Sequence, residues 1–151
     1  MELTAFDKEL LNALQGGIEF VHKPYETMAN KLGVSEERVL NRLTELKKAG
    51  YVRKIGAFFN SDKLGYSGTL IAVKVMDEYL DEVAERINEY PEVTHNYQRR
   101  GEYALWFTFI TDRPERQAQV LAEVKALPGV VSLMDLYSQK KYKIDVRFKL
   151  K

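Results

Sequence analysis

The residue types in this chain that could do chemistry gather in one stretch, Val93-Thr94-His95-Asn96-Tyr97-Gln98-Arg99-Arg100-Gly101-Glu102-Tyr103-Ala104-Leu105-Trp106-Phe107. Side chains alternate faces along an extended strand, so His95, Tyr97 and Arg99 fall on one side. Trp106 falls on the neighbouring hairpin strand, where it can pack across from them. An imidazole, a phenol, a guanidinium and an indole together suit a flat, anionic, aromatic ligand. The rings stack on it, the guanidinium forks onto carboxylates, and the imidazole ligates iron or moves a proton near neutral pH. A structural strand histidine beside a plain Trp106-Phe107 core pair would leave the same pattern, and spacing alone leaves that reading open.

Little else in the chain competes for a chemical role. There is no cysteine, which excludes disulfides, thiolate metal sites and a cysteine nucleophile. The second histidine, His22, is a lone loop residue beside Lys23 and Pro24, so a zinc site would need carboxylates for most of its ligands. A basic tail carries Lys140, Lys141, Lys143 and Arg147. Such a tail is ordinarily a solvated edge, but Lys141 and Lys143 become candidate carboxylate partners if it borders the ligand.

The elements that must position this stretch follow from the flanking sequence. Thr69 to Val75 is apolar and β-rich. Asp77 can cap a helix carrying Leu80, Val83, Ala84 and Ile87, which Pro91 ends. Val93 to Arg99 and Tyr103 to Ile110 read as hairpin strands turning at Gly101-Glu102. Pro114 opens a helix with Val120, Leu121, Val124 and Leu127 buried, Pro128-Gly129 breaks it, and Val130 to Tyr137 is a further strand. The order β-α-β-β-α-β predicts a ferredoxin-like domain over residues 63–151. Its helices cover one face of an antiparallel sheet, so the other face needs a cover, and a second copy or a related chain would supply it.

Residues 1–62 predict a winged helix-turn-helix domain, which makes the whole chain α+β. Phe6, Leu10, Leu11 and Leu14 keep helical spacing up to Gly16-Gly17. Tyr25 to Leu32 is a second helix after Pro24, ended by Gly33. Ser35 caps a third, with Val39, Leu40, Leu43 and Leu46 as its buried stripe. Tyr51 to Ile55 and Ala57 to Phe59 read as two wing strands turning near Gly56. The shape suggests DNA, but the charge argues against it. The net charge is +1, and residues 1–54 hold nine Lys/Arg against eight Asp/Glu, whereas DNA readers carry a basic face. On the third helix Arg38, Arg42, Lys47 and Lys48 are interleaved with Glu36, Glu37 and Glu45. The first residues lack a basic-then-apolar leader and no apolar run reaches a membrane span, so the expectation is a cytoplasmic protein.

The combined architecture resembles the leucine-responsive/asparagine-type transcription regulators. A narrower resemblance is to the siroheme decarboxylases of heme and heme d1 biosynthesis. It rests on Arg53-Lys54-Ile55-Gly56-Ala57-Phe58-Phe59, Leu64-Gly65-Tyr66-Ser67-Gly68-Thr69-Leu70, His95-Asn96-Tyr97 with Tyr103-Ala104-Leu105-Trp106-Phe107, and Tyr142-Lys143-Ile144 with Val146-Arg147-Phe148. This resemblance implies removal of two acetate carboxylates from siroheme, with no cofactor beyond the iron tetrapyrrole itself. It also implies a homodimer or a heterodimer with a paralogous subunit. Position 104 departs from it, with Ala where Asn is expected, which leaves open which member of a pair this chain is. On this reading His95 is the siroheme iron ligand or the proton donor, Tyr97 and Arg99 complete the catalytic set, and Arg100, Trp106, Lys141 and Lys143 bind substrate. The alternative is a DNA-binding regulator with a small-molecule effector site.

Overall fold

A computed structural model describes residues 2–140, 142–143 and 147–151. It divides into two units, the described residues of Met1–Ala57 with Lys143–Lys151, and Phe58–Tyr142. The first unit holds helices α1 (Ala5–Gln15), α2 (Pro24–Leu32) and α3 (Glu36–Lys48). Each start is chemically marked. Thr4 and Asp7 form a reciprocal capping box on α1, Pro24 opens α2, and the Arg38 N–H donates to Ser35 Oγ at the head of α3 (3.3 Å). Gly33 ends α2 at φ +66°, a left-handed conformation that glycine adopts without a Cβ clash. The buried side chains of Leu10, Leu11, Met28, Ala29, Val39, Leu43, Leu46 and Val52 make this unit's core. Replacing Ser35 with Ala removes the α3 cap and is expected to destabilise this unit by about 1 kcal/mol, read as a lower urea midpoint with an unchanged slope.

Two local expectations for this unit are corrected. Leu40 is exposed rather than buried, because at 100° per residue it sits off the stripe that Val39, Leu43 and Leu46 share. The wing strands are absent: residues 51–59 form no ladder. Val52 is buried in the core and Ile55 packs against it, whereas Phe58 and Phe59 are exposed. A two-stranded ribbon with no apolar face to bury is not stable on its own.

The C-terminal residues return to this unit. The Gln15 amide donates to the Phe148 carbonyl (2.9 Å) and accepts its N–H (2.7 Å). One turn earlier, Asn12 makes the same pair of bonds with Leu150 (3.0 and 3.4 Å), and Leu150 packs on the core. Amides at i and i+3 lie on one helix face, so they meet alternate residues of an extended chain.

The second unit contains β1 (Ser67–Val75), α4 (Leu80–Asn88), β2 (Val93–Gln98), β3 (Leu105–Thr111), α5 (Pro114–Lys125) and β4 (Val130–Tyr137). The strands lie in the order β2-β3-β1-β4, each antiparallel to its neighbours, which is the ferredoxin-like arrangement. Ile71, Val73 and Val75 of β1 and Leu105, Phe107 and Phe109 of β3 face a core completed by Val83, Ile87, Val120 and Val124 from the helices. The alternation along β3 is complete, buried at every odd position and half-buried at every even one. Asp77 begins a short 3-10 turn rather than capping α4. The hairpin loop is longer than expected, with Tyr103 and Ala104 outside β3 and the Arg99 N–H donating to the Ala104 carbonyl (2.8 Å).

Candidate functional site

Because the odd positions of β3 are buried under the helices, its even positions point to the opposite face of the sheet. The register builds two rows across that face. Tyr97, Trp106, Ala72 and Met134 stand opposite one another, and beside them His95, Thr108, Leu70 and Leu136. The face is open: Tyr97 is 55% exposed, Leu136 39% and Leu70 37%. It therefore combines an apolar floor with one imidazole, one phenol and one indole. Among the described residues no helix of this unit covers it, which leaves these side chains open to a ligand or partner.

The expected residues are brought together in part. His95 and Tyr97 stack with ring centroids 6.1 Å apart and planes inclined by 24°. Arg99, the first residue past β2, holds its guanidinium 5.7 Å from the Trp106 ring, within cation–π range. The Trp106 indole N–H donates to the Tyr103 carbonyl (2.7 Å), which fixes the ring orientation. Arg100 is exposed in the hairpin loop. Lys143 is exposed and belongs to the N-terminal unit. Lys141 lies outside the described residues.

Three supporting contacts were not read from sequence. Thr94 is a β-bulge, an extra residue between the Val93–Phe109 and His95–Thr108 pairs. It places the Thr94 and Thr108 hydroxyls 3.1 and 3.2 Å from His95 Nδ1. Thr108 was visible as an even neighbour of Trp106, whereas nothing local signals the bulge. At the loop, Lys74 Nζ donates to Glu102 Oε1 (2.7 Å). That bond holds the Glu102 carboxyl below its ordinary range and the Lys74 ammonium above its own. Among the described residues no three His, Asp or Glu side chains cluster as a metal site, and no helix is long and apolar enough to cross a membrane.

Part of the basic surface of the third helix is engaged within its own unit. Arg42 donates through Nε and Nη2 to the two oxygens of buried Asp7 (2.5 and 2.7 Å) and through Nη1 to Glu45. Arg38 lies over the Phe6 ring at 4.6 Å. Two of the four basic side chains expected to face outward are thus held by the protein itself.

Fold and site together define the class, a helix-turn-helix unit joined to an AsnC-like ligand-binding domain. Residues 63–143 match the family model described as AsnC-like ligand binding domain, and residues 7–53 match that of the siroheme decarboxylase NirDL-like HTH domain. The chain belongs to the siroheme decarboxylase family. It is 41% identical to the siroheme decarboxylase NirD subunit of Pseudomonas aeruginosa, covering 95% of this chain and 94% of the relative. It is 32% identical to the NirG subunit of the same organism, over 96% and 98%. The crystal structure of the siroheme decarboxylase NirDL in co-complex with an iron-uroporphyrin III analogue superposes with a TM-score of 0.70 at 30% identity. It covers 93% of this chain and 48% of that one.

Proposed function

We propose that this chain is a siroheme decarboxylase subunit that receives the tetrapyrrole on the open face of its sheet. The observation that carries the reading is the gathering of His95, Tyr97, Arg99 and Trp106 on that face, in a chain of this family. Each acetate loses CO2 by cleavage of the bond between its methylene and carboxyl carbons. The electron pair stays on the methylene carbon and spreads into the macrocycle, and one proton then completes a methyl group. Two such steps give didecarboxysiroheme without oxidant or reductant. The iron tetrapyrrole is its own electron sink, so no further cofactor is required.

The protein's task is then to place charges and protons. His95 has Nδ1 occupied by the threonine hydroxyls, which leaves Nε2 for the ligand, as iron ligand or as proton donor. Tyr97, stacked on His95, relays the proton. Arg99 and Arg100 hold carboxylates that do not react. Pairing an arginine with the departing carboxylate would stabilise the ground state and slow its loss. The reacting acetate accordingly belongs over the drier floor beside Trp106, where Ala72 is fully buried between its strand neighbours. The same reading places the chain in the cytoplasm and pairs it with a second, related subunit, because the open face needs a cover and Pseudomonas aeruginosa holds two related siroheme decarboxylase subunits.

The test is anaerobic incubation of the purified chain with siroheme, alone and with its related subunit, followed by mass analysis of the tetrapyrrole. Loss of two CO2 per molecule is expected, at least with the paired subunit. Retention of the full siroheme mass in both incubations would remove the decarboxylase reading.

A further inference from the structure

The hydroxyls around His95 decide more than its position. Thr94 Oγ1 and Thr108 Oγ1 lie 2.6 Å apart, and His95 Nδ1 is 3.1 Å from the first and 3.2 Å from the second. Three polar atoms close a triangle that contains two hydroxyl protons. When one hydroxyl donates to the other and that one donates to Nδ1, both protons are used. Nδ1 is then an acceptor, and the imidazole proton sits on Nε2. In the opposite tautomer Nδ1–H donates into the pair, and one hydroxyl proton must leave the triangle. No acceptor for it is present among the described residues. Water can accept it while the face is open, but an aromatic ligand over the sheet removes that water and leaves a donor unpaired.

We infer that Thr108, together with Thr94, is a positioning residue that holds neutral His95 in its Nε2–H tautomer, so that the ring turns a hydrogen-bond-donating N–H to the open face rather than the lone pair an iron ligand needs. The bulge is what builds this device. With Thr94 inserted, two consecutive residues of β2 oppose Thr108, so two hydroxyls reach one ring nitrogen. That this N–H meets the tetrapyrrole rests on the siroheme decarboxylase reading. The tautomer does not, being a property of the chain alone.

The two claims are tested separately. Long-range proton–nitrogen correlation spectra of the full-length, nitrogen-15-labelled chain, recorded at alkaline pH, report which ring nitrogen carries the proton. The wild type is expected to show protonated Nε2 and unprotonated Nδ1 as one dominant form. The variant with both Thr94→Val and Thr108→Val is expected to show the two nitrogens averaging, and Thr108→Ser to keep the wild-type pattern. Valine suits an outward strand position, and the same spectra report whether the fold is intact. In the complex with its related subunit, Thr108→Val is expected to lower kcat about tenfold at unchanged KM, with Thr108→Ser restoring it. A protonated Nδ1 in the wild type, an unaltered tautomer in the double valine variant, or no rescue by serine would overturn the inference. The expected tautomers in a wild-type complex that never decarboxylates siroheme would support the positioning device and sink the functional reading instead.

Discussion

Replacing His95 with Ala is expected to lower the rate of siroheme decarboxylation by about 10²- to 10⁴-fold, the range lost when a positioned general acid is removed. The loss should fall on kcat. Siroheme binding should survive, because the stacking surface of Tyr97 and Trp106 and the Arg99 guanidinium remain. Absorption spectra of the bound tetrapyrrole separate the two roles open to this side chain. A proton donor leaves the iron bands of the bound siroheme unchanged on substitution, whereas an iron ligand shifts them. Single-turnover mass analysis alongside those spectra makes the measurement complete. Unchanged turnover in His95→Ala would remove His95 from the mechanism and move the proton source to another group on the face.

The second large effect concerns stability. Asp7 is fully buried and accepts the Thr4 N–H (2.8 Å) and two N–H bonds from Arg42. The bond from Arg42, foremost, holds its carboxyl well below the ordinary carboxylate range against the opposing effect of burial. Replacing Asp7 with Ala breaks the α1 capping box and leaves Arg42 without its buried partner, at an expected cost of about 3 kcal/mol. Denaturant unfolding of the full chain, followed by helix signal, measures it.

The pH dependence has a definite sign. The folded unit keeps Asp7 ionised to lower pH than the unfolded chain does. Its stabilisation is therefore complete above the unfolded value of about 4 and declines as pH falls below it. Asp7→Asn retains a capping acceptor and should flatten that decline. An equal acid sensitivity in wild type and Asp7→Asn would show that other carboxylates govern it.

Much of the fold is legible in the chain because its determinants are local. Ser35, Pro24 and Gly33 mark helix ends through their own backbone chemistry. Alternation alone places His95 with Tyr97 on one strand face, and the order of elements alone yields the ferredoxin-like sheet. What escaped the sequence depends on partners distant along the chain. Leu40 satisfies a loose helical stripe, but only the direction of the packed neighbours decides that it stays exposed. Residues 51–59 have strand composition, but a ribbon needs a surface to cover, and Phe58 and Phe59 find none within their unit. Asp7 and Arg42 are 35 residues apart, and neither signals the other.

The candidate site divides the same way. The residue types that suit a flat, anionic ring are a property of the sequence, since side-chain chemistry and period-two alternation need no partner. The state of the imidazole belongs to tertiary structure. It depends on a bulge that exists only where β2 meets β3, and on a hydroxyl contributed from thirteen residues away. Register between strands is set by the whole packed sheet, so the sequence determined which groups this face carries, and the fold alone decided which atom of His95 it presents.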